Sequence, residues 1–175
     1  MIELLRARRS IRKYADRPIE PEKVDVLKEA ALRSPSSRNI DPWEFVFVQD
    51  RETLQKLARC KPHGASFLAG ASLAIIVCGN TDESDTWIED CSIASILLQM
   101  TAQSLDLGSC WIQVRNRMFD DSTPSTQYIQ DLLAIPNPIQ VESIIAVGYP
   151  AENRDPVPRE NLKHDKIHVG RLQGS

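Results

Sequence analysis

The sequence predicts helices layered on a β-sheet, in a two- or three-layer α/β arrangement, and three observations lead there. Segments with helical spacing outnumber those with strand character, and helices separate the strands. Leu73-Ala74-Ile75-Ile76-Val77-Cys78 is an unbroken apolar run closed by Gly79-Asn80, as in a strand buried on both faces. Trp87 to Leu107 reads as a helix of roughly 30 Å, apolar nearly all the way round, which calls for packing on several sides or against a second subunit. With 175 residues, 42% hydrophobic and 26% charged, the chain suits a single domain with one core.

In chain order, Ile2 to Arg9 is a short helix that runs into Arg8-Arg9-Ser10-Ile11-Arg12-Lys13-Tyr14, four cations and a hydroxyl within six residues. Such a cluster suits a phosphate, because each guanidinium is a planar fork of donors and Ser10 adds another. It would serve equally as a solvated basic helix end facing the negative pole of the helix dipole. Pro18 and Pro21 break the chain, and Pro21 opens a helix to Arg33 with Val24, Leu27, Ala31 and Leu32 on its core side. Ser34 to Trp43 is a loop stiffened by Pro35 and Pro42. It offers backbone N–H groups and short side-chain donors to a polar ligand, or it is a plain connection. Glu44 to Val48 is a strand, and Asp50 caps a helix from Arg51 to Cys60 that ends at Lys61-Pro62-His63-Gly64.

Thr81 to Asp85 is an acidic turn into the long helix, and Gly108 is its expected C-terminal cap. Ser109 to Val114 is the third strand, Thr126 to Ala134 a short helix, and Glu142 to Pro150 the fourth strand. The polar tail from Ala151 has no core of its own, so it lies along another surface or stays mobile.

A net charge of −3 argues against nucleic acid as the main partner, since phosphate backbones recruit a cationic excess. Glu89, Asp90, Gln99, Gln103 and Asp106 interrupt the long helix, which excludes it as a membrane span. Cys60, Cys78, Cys91 and Cys110 form neither a CxxC pair nor a zinc ribbon. With no apolar signal segment at the amino terminus, a reducing cytoplasm is the expected location. His164 and His168 stand four apart without an HExxH pattern or a third ligand, so no metal site is expected. No side chain stands out as a catalytic acid or base.

Several of these segments together resemble the nitroreductase family of FMN-dependent oxidoreductases in its compact form. Arg8 to Tyr14 is similar to the family's opening phosphate motif, and Ser34-Pro35-Ser36-Ser37-Arg38-Asn39 with Pro42-Trp43 to its second flavin loop. Glu89 to Ala94 resembles the start of its central helix, Gly108 to Ile112 its later strand, and Gly148-Tyr149-Pro150 with Arg159 its carboxyl end. The resemblance implies an α+β fold with a central, mainly antiparallel sheet flanked by helices. It also implies an intertwined homodimer with two FMN sites at the interface, and a tail from about residue 151 to 175 extending over the partner.

Carried over by position, Arg8, Ser10 and Arg12 hold the FMN phosphate, with Arg9 contributing and Arg159 joining them. Pro35, Ser36, Ser37 and Asn39 of the other subunit line the ring and ribityl chain, and Ile112 and Gln113 lie against the reactive face. Two departures stand out. Gln113 and Val114 are larger than the small residues common there, which narrows access to the face, and the Lys that many relatives carry near the pyrimidine edge is unmatched, leaving Lys61 and His63 as candidates. The implied reaction passes a hydride from NADH or NADPH through FMN to a small organic acceptor such as a nitroaromatic or quinone. The alternatives are a different flavin reaction, dehalogenation or oxygen-dependent, or flavin binding without turnover.

Overall fold

A computed structural model describes residues 1–172. Five helices, α1 (Ile2–Ala7), α2 (Pro21–Leu32), α3 (Arg51–Leu57), α4 (Trp87–Ser104) and α5 (Ser125–Leu133), accompany four strands, β1 (Trp43–Val48), β2 (Leu73–Asn80), β3 (Gly108–Gln113) and β4 (Ile139–Gly148). The strands form one sheet in the order β1-β2-β4-β3, and every neighbouring pair is antiparallel. The α+β arrangement therefore replaces the α/β expectation. Apolar runs buried on both faces arise in any sheet that helices cover on both sides, so pattern alone leaves strand sense open.

Helices do cover both sides. On one face Val24, Leu27 and Ala31 of α2 with Cys91, Leu98 and Ala102 of α4 pack over Leu73, Ile75, Val77, Ile145 and Val147. On the other, Leu54 and Leu57 of α3, Leu68 of a 3-10 turn (Ser66–Gly70) and Ile129 of α5 pack over Ala74, Ile76, Ile112, Ile144 and Ala146. The register Ile75↔Ile145 and Ile76↔Ile144 sends alternate residues of the central strands to opposite cores.

Several element ends differ from expectation: β4 runs from Ile139 to Gly148 rather than from Glu142 to Pro150, and three helix ends differ as well. α3 stops at Leu57, short of Cys60, although Asp50 caps its start by accepting from the Thr53 N–H at 2.8 Å. α4 ends at Ser104. Its reversal uses Asp106 with φ of 60° and a bond from the Leu107 N–H to the Ala102 carbonyl at 2.9 Å, so Gly108 is not the cap but the first residue of β3. α1 ends at Ala7, and Arg8 is already extended (φ −62°, ψ 126°). The tail beyond Pro150 is exposed apart from half-buried Glu152, and His164 begins a 3-10 turn that ends at Lys166.

Candidate functional site

The amino-terminal cluster is built onto the open edge of the sheet. β3 is an edge strand, and Ser10 bridges to Ser109 with the Ile11 N–H on the Ser109 carbonyl at 3.0 Å. The chain then runs along the end of β4, where Tyr14 bridges to Pro150 and the Ala15 N–H reaches the Tyr149 carbonyl at 2.8 Å. Two glycines permit this approach. A Cβ on Gly108 would stand 2.9 Å from the Ile11 Cβ, and one on Gly148 would stand 2.9 Å from the Tyr14 ring.

With its backbone held there, the cluster turns its charges outward. Among the described residues Arg8, Arg9 and Arg12 have no carboxylate partner; Arg9 donates to the Asp155 carbonyl, and the Arg12 guanidinium lies 5.7 Å from the Phe67 ring centre. Burial pushes the Cys110 thiol of β3 up, against the pull of the Arg12 charge, the Ser10 hydroxyl and the Arg8 charge. A carboxylate that sequence reasoning missed orders the backbone here. Glu152 Oε1 accepts from the Arg12 N–H at 2.6 Å and the Lys13 N–H at 3.1 Å, and its carboxyl sits below the usual range, chiefly because of the Arg12 N–H. No spacing rule links residues some 140 positions apart.

Farther along the same edge, Lys61 Nζ donates to the Gln113 carbonyl at 2.9 Å. Outward-facing groups alternate along an edge strand, so the main-chain N–H and C=O of Trp111 face outward between the Ser109 and Gln113 anchors. The Gln113 side chain is held in place, accepting from Trp111 Nε1 at 3.0 Å and donating to the Arg115 carbonyl at 2.9 Å. Ile112 is 1% exposed with its side chain in the core, and by the same alternation its N–H and C=O face β4, so the outward backbone belongs to its neighbours Trp111 and Gln113. Of the two candidate cations, Lys61 is half-buried and lowered in pKa, with desolvation the largest cause, whereas His63 is exposed.

The second loop stands elsewhere. Ser37–Asn39 is a 3-10 turn with φ of 54° at Arg38 and 55° at Asn39, held because the buried Asp90 carboxylate accepts the Ser37 N–H at 2.8 Å and Ser36 Oγ lies 2.6 Å from Asp41. Asp90 is in the first turn of α4, whereas Gly108, which carries Ile11, follows its last. At 1.5 Å per residue, the run of α4 from Asp90 to Ser104 separates the two by about 21 Å along the helix axis. One chain does not bring Pro35, Ser36, Ser37 and Asn39 to Arg8, Ser10 and Arg12. Arg159 is exposed in the tail, and among the described residues it shares no hydrogen bond or ion pair with the cluster.

The chain is an α+β protein with one antiparallel sheet and an arginine-rich amino-terminal segment docked on its edge strand, and comparison with known proteins gives its family. The nitroreductase family model matches residues 5–61 and 61–149, and the chain belongs to that family. An FMN-dependent nitroreductase from Clostridium difficile R20291 is 44% identical, with a TM-score of 0.97 over 98% of this chain and 100% of that one. A protein of Methanothermobacter thermautotrophicus named "Putative NADH dehydrogenase/NAD(P)H nitroreductase" is 38% identical over 97% of this chain and 86% of its own length. The NADPH:FMN oxidoreductase of Vibrio harveyi, at 24% identity and a TM-score of 0.84, shares the fold.

Proposed function

We propose that the chain is an FMN-dependent oxidoreductase that takes electrons from NADH or NADPH and delivers them to a small organic acceptor, and that it works as a homodimer. The observation that carries this reading is that the Arg8–Arg12 cluster is docked through Ser10 and Ile11 on an edge strand whose Trp111 backbone faces outward. That arrangement fits the group: the guanidiniums suit a phosphate, and an edge amide and carbonyl suit the hydrogen-bonding rim of a flavin ring. FMN bound there supplies the hydride-accepting and electron-donating centre.

The chain's own residues bind and tune. Arg8, Ser10 and Arg12 hold the phosphate, Arg9 steadies the tail through Asp155, and Glu152 fixes the backbone that aims Arg12. Trp111 and Gln113, on either side of Ile112, present backbone to the ring edge, and Lys61, held on the Gln113 carbonyl, would place a cation where reduction adds negative charge. Arg159 joins the phosphate site once the tail is docked.

The homodimer reading is supported by the roughly 21 Å of α4 between half-sites, which a second chain can close by supplying Pro35, Ser36, Ser37 and Asn39. Exposed apolar side chains support it too: α1 lies against α4, and Ile2 (57%), Leu5 (50%), Ile93 (39%) and Ile96 (40%) are open. The chain forms a single domain whose tail covers the partner. Four buried free thiols suit a reducing cytoplasm, and among the described residues no helix is long and apolar enough to cross a membrane.

The test is to mix the purified flavin-loaded protein anaerobically with NADH and, separately, NADPH. Bleaching of the flavin band by at least one, and its return on adding a quinone, is expected. A protein that purifies without flavin, or a flavin that neither donor bleaches, contradicts the reading.

A further inference from the structure

We propose that the cleft at the end of β3 binds the carboxylate of an aromatic acid whose ring also bears the group that takes the two electrons, a nitro group or a quinone, with Arg117 as the principal anchor and Arg115 beside it. The inference rests on the oxidoreductase reading and names the acceptor class for the same site.

The cleft opens two residues past Gln113 and has a volume of about 460 Å³, enough for a single-ring acid. Trp87, Met118 and Pro124 give it apolar surface, while Arg115 and Arg117 supply positive charge. The loop that carries them is fixed. The Arg117 N–H donates to the Val114 carbonyl at 3.0 Å, and its carbonyl accepts from the Ser125 N–H at 2.9 Å. Phe119 stacks on Tyr128 with ring centres 4.1 Å apart, and Asp120 is turned inward onto Ser122 and Thr123.

Held in this way, the Arg117 side chain contacts only a neighbouring carbonyl, Asn116 O at 2.8 Å, and among the described residues neither arginine has an ion pair. Arg115 is partly offset by the buried Glu142, whereas Arg117 faces another cation, Lys61. The Arg117 guanidinium without an ion pair, four residues past the end of β3 and beside an aromatic wall, selects a planar anion. A guanidinium fork pairs with a carboxylate, and the ring lies against Trp87.

The test uses the full flavin-loaded chain, 4-nitrobenzoate, and its uncharged methyl ester, with binding read as quenching of tryptophan fluorescence and W87F identifying the Trp87 contribution. The acid is expected to bind at least about tenfold more tightly than the ester. R117Q should abolish that preference and raise KM for the acid, leaving KM for the ester and the rate of flavin bleaching by NADH unchanged. Equal binding of acid and ester overturns the proposal, as does a preference that survives R115Q/R117Q. An effect of R117Q on NADPH or NADH alone also overturns it, by assigning the anion to the donor's phosphates. Failure of the oxidoreductase reading shows separately, as flavin that no donor bleaches, and the quenching titration still decides what the cleft binds.

Discussion

Arg12 combines a backbone held by Glu152 with a guanidinium that has no carboxylate partner, so its loss should be felt by a bound phosphate rather than by the fold. R12A is expected to weaken FMN binding by about tenfold or more, with thermal stability changed by less than about 1 kcal/mol. Flavin retention after gel filtration and a melting curve measure the two. Glu142 makes the opposite kind of prediction. Burial is the first cause that pushes its carboxyl up, against hydrogen bonds from Ser143 and Ser92 and the charge of Arg115, and its Oε2 is buried without a partner. A folded-state pKa above the unfolded value means the folded chain holds the proton more tightly. The stabilisation is complete below the ordinary glutamate range and is lost as pH rises through the raised pKa. Wild type should therefore lose melting temperature relative to E142Q as pH rises above the ordinary glutamate value of about 4 and through the raised pKa. A constant difference across that range would show that Glu142 does not titrate as its burial requires. Of these two residues only Arg12 was legible in the sequence, because a run of arginines is local whereas the burial of Glu142 depends on what α4 lays over β4.

Element ends show why local signals stop short. Gly108 follows an apolar helix in the place a cap would occupy, and the sequence reads it so. Asp106 makes the left-handed turn instead, and the glycine answers to a chain segment almost a hundred residues earlier. G108A should push Ile11 away from β3 at a cost of about 1–3 kcal/mol and release flavin along with it. A variant that keeps full flavin would mean that the cluster is positioned independently of β3. The strands themselves were legible from their β-branched and aromatic runs. Their antiparallel sense was not, since it depends on how the connections cross and came only with the family resemblance.

For the whole molecule, the sequence carries both halves of the proposed flavin site but gives no sign that one chain keeps them apart; that follows from the length of α4 and from which end each half is tied to. Two chains can meet the geometry if the amino-terminal motif of one faces the Ser36–Asn39 turn of the other. The most direct test is the FMN content of a mixed dimer formed from R12A, which loses the phosphate anchor, and S37W, which blocks the turn. A shared site predicts no flavin in either homodimer and one FMN per mixed dimer, because the mixture regains one site free of both lesions. A mixed dimer as empty as its parents would contradict it.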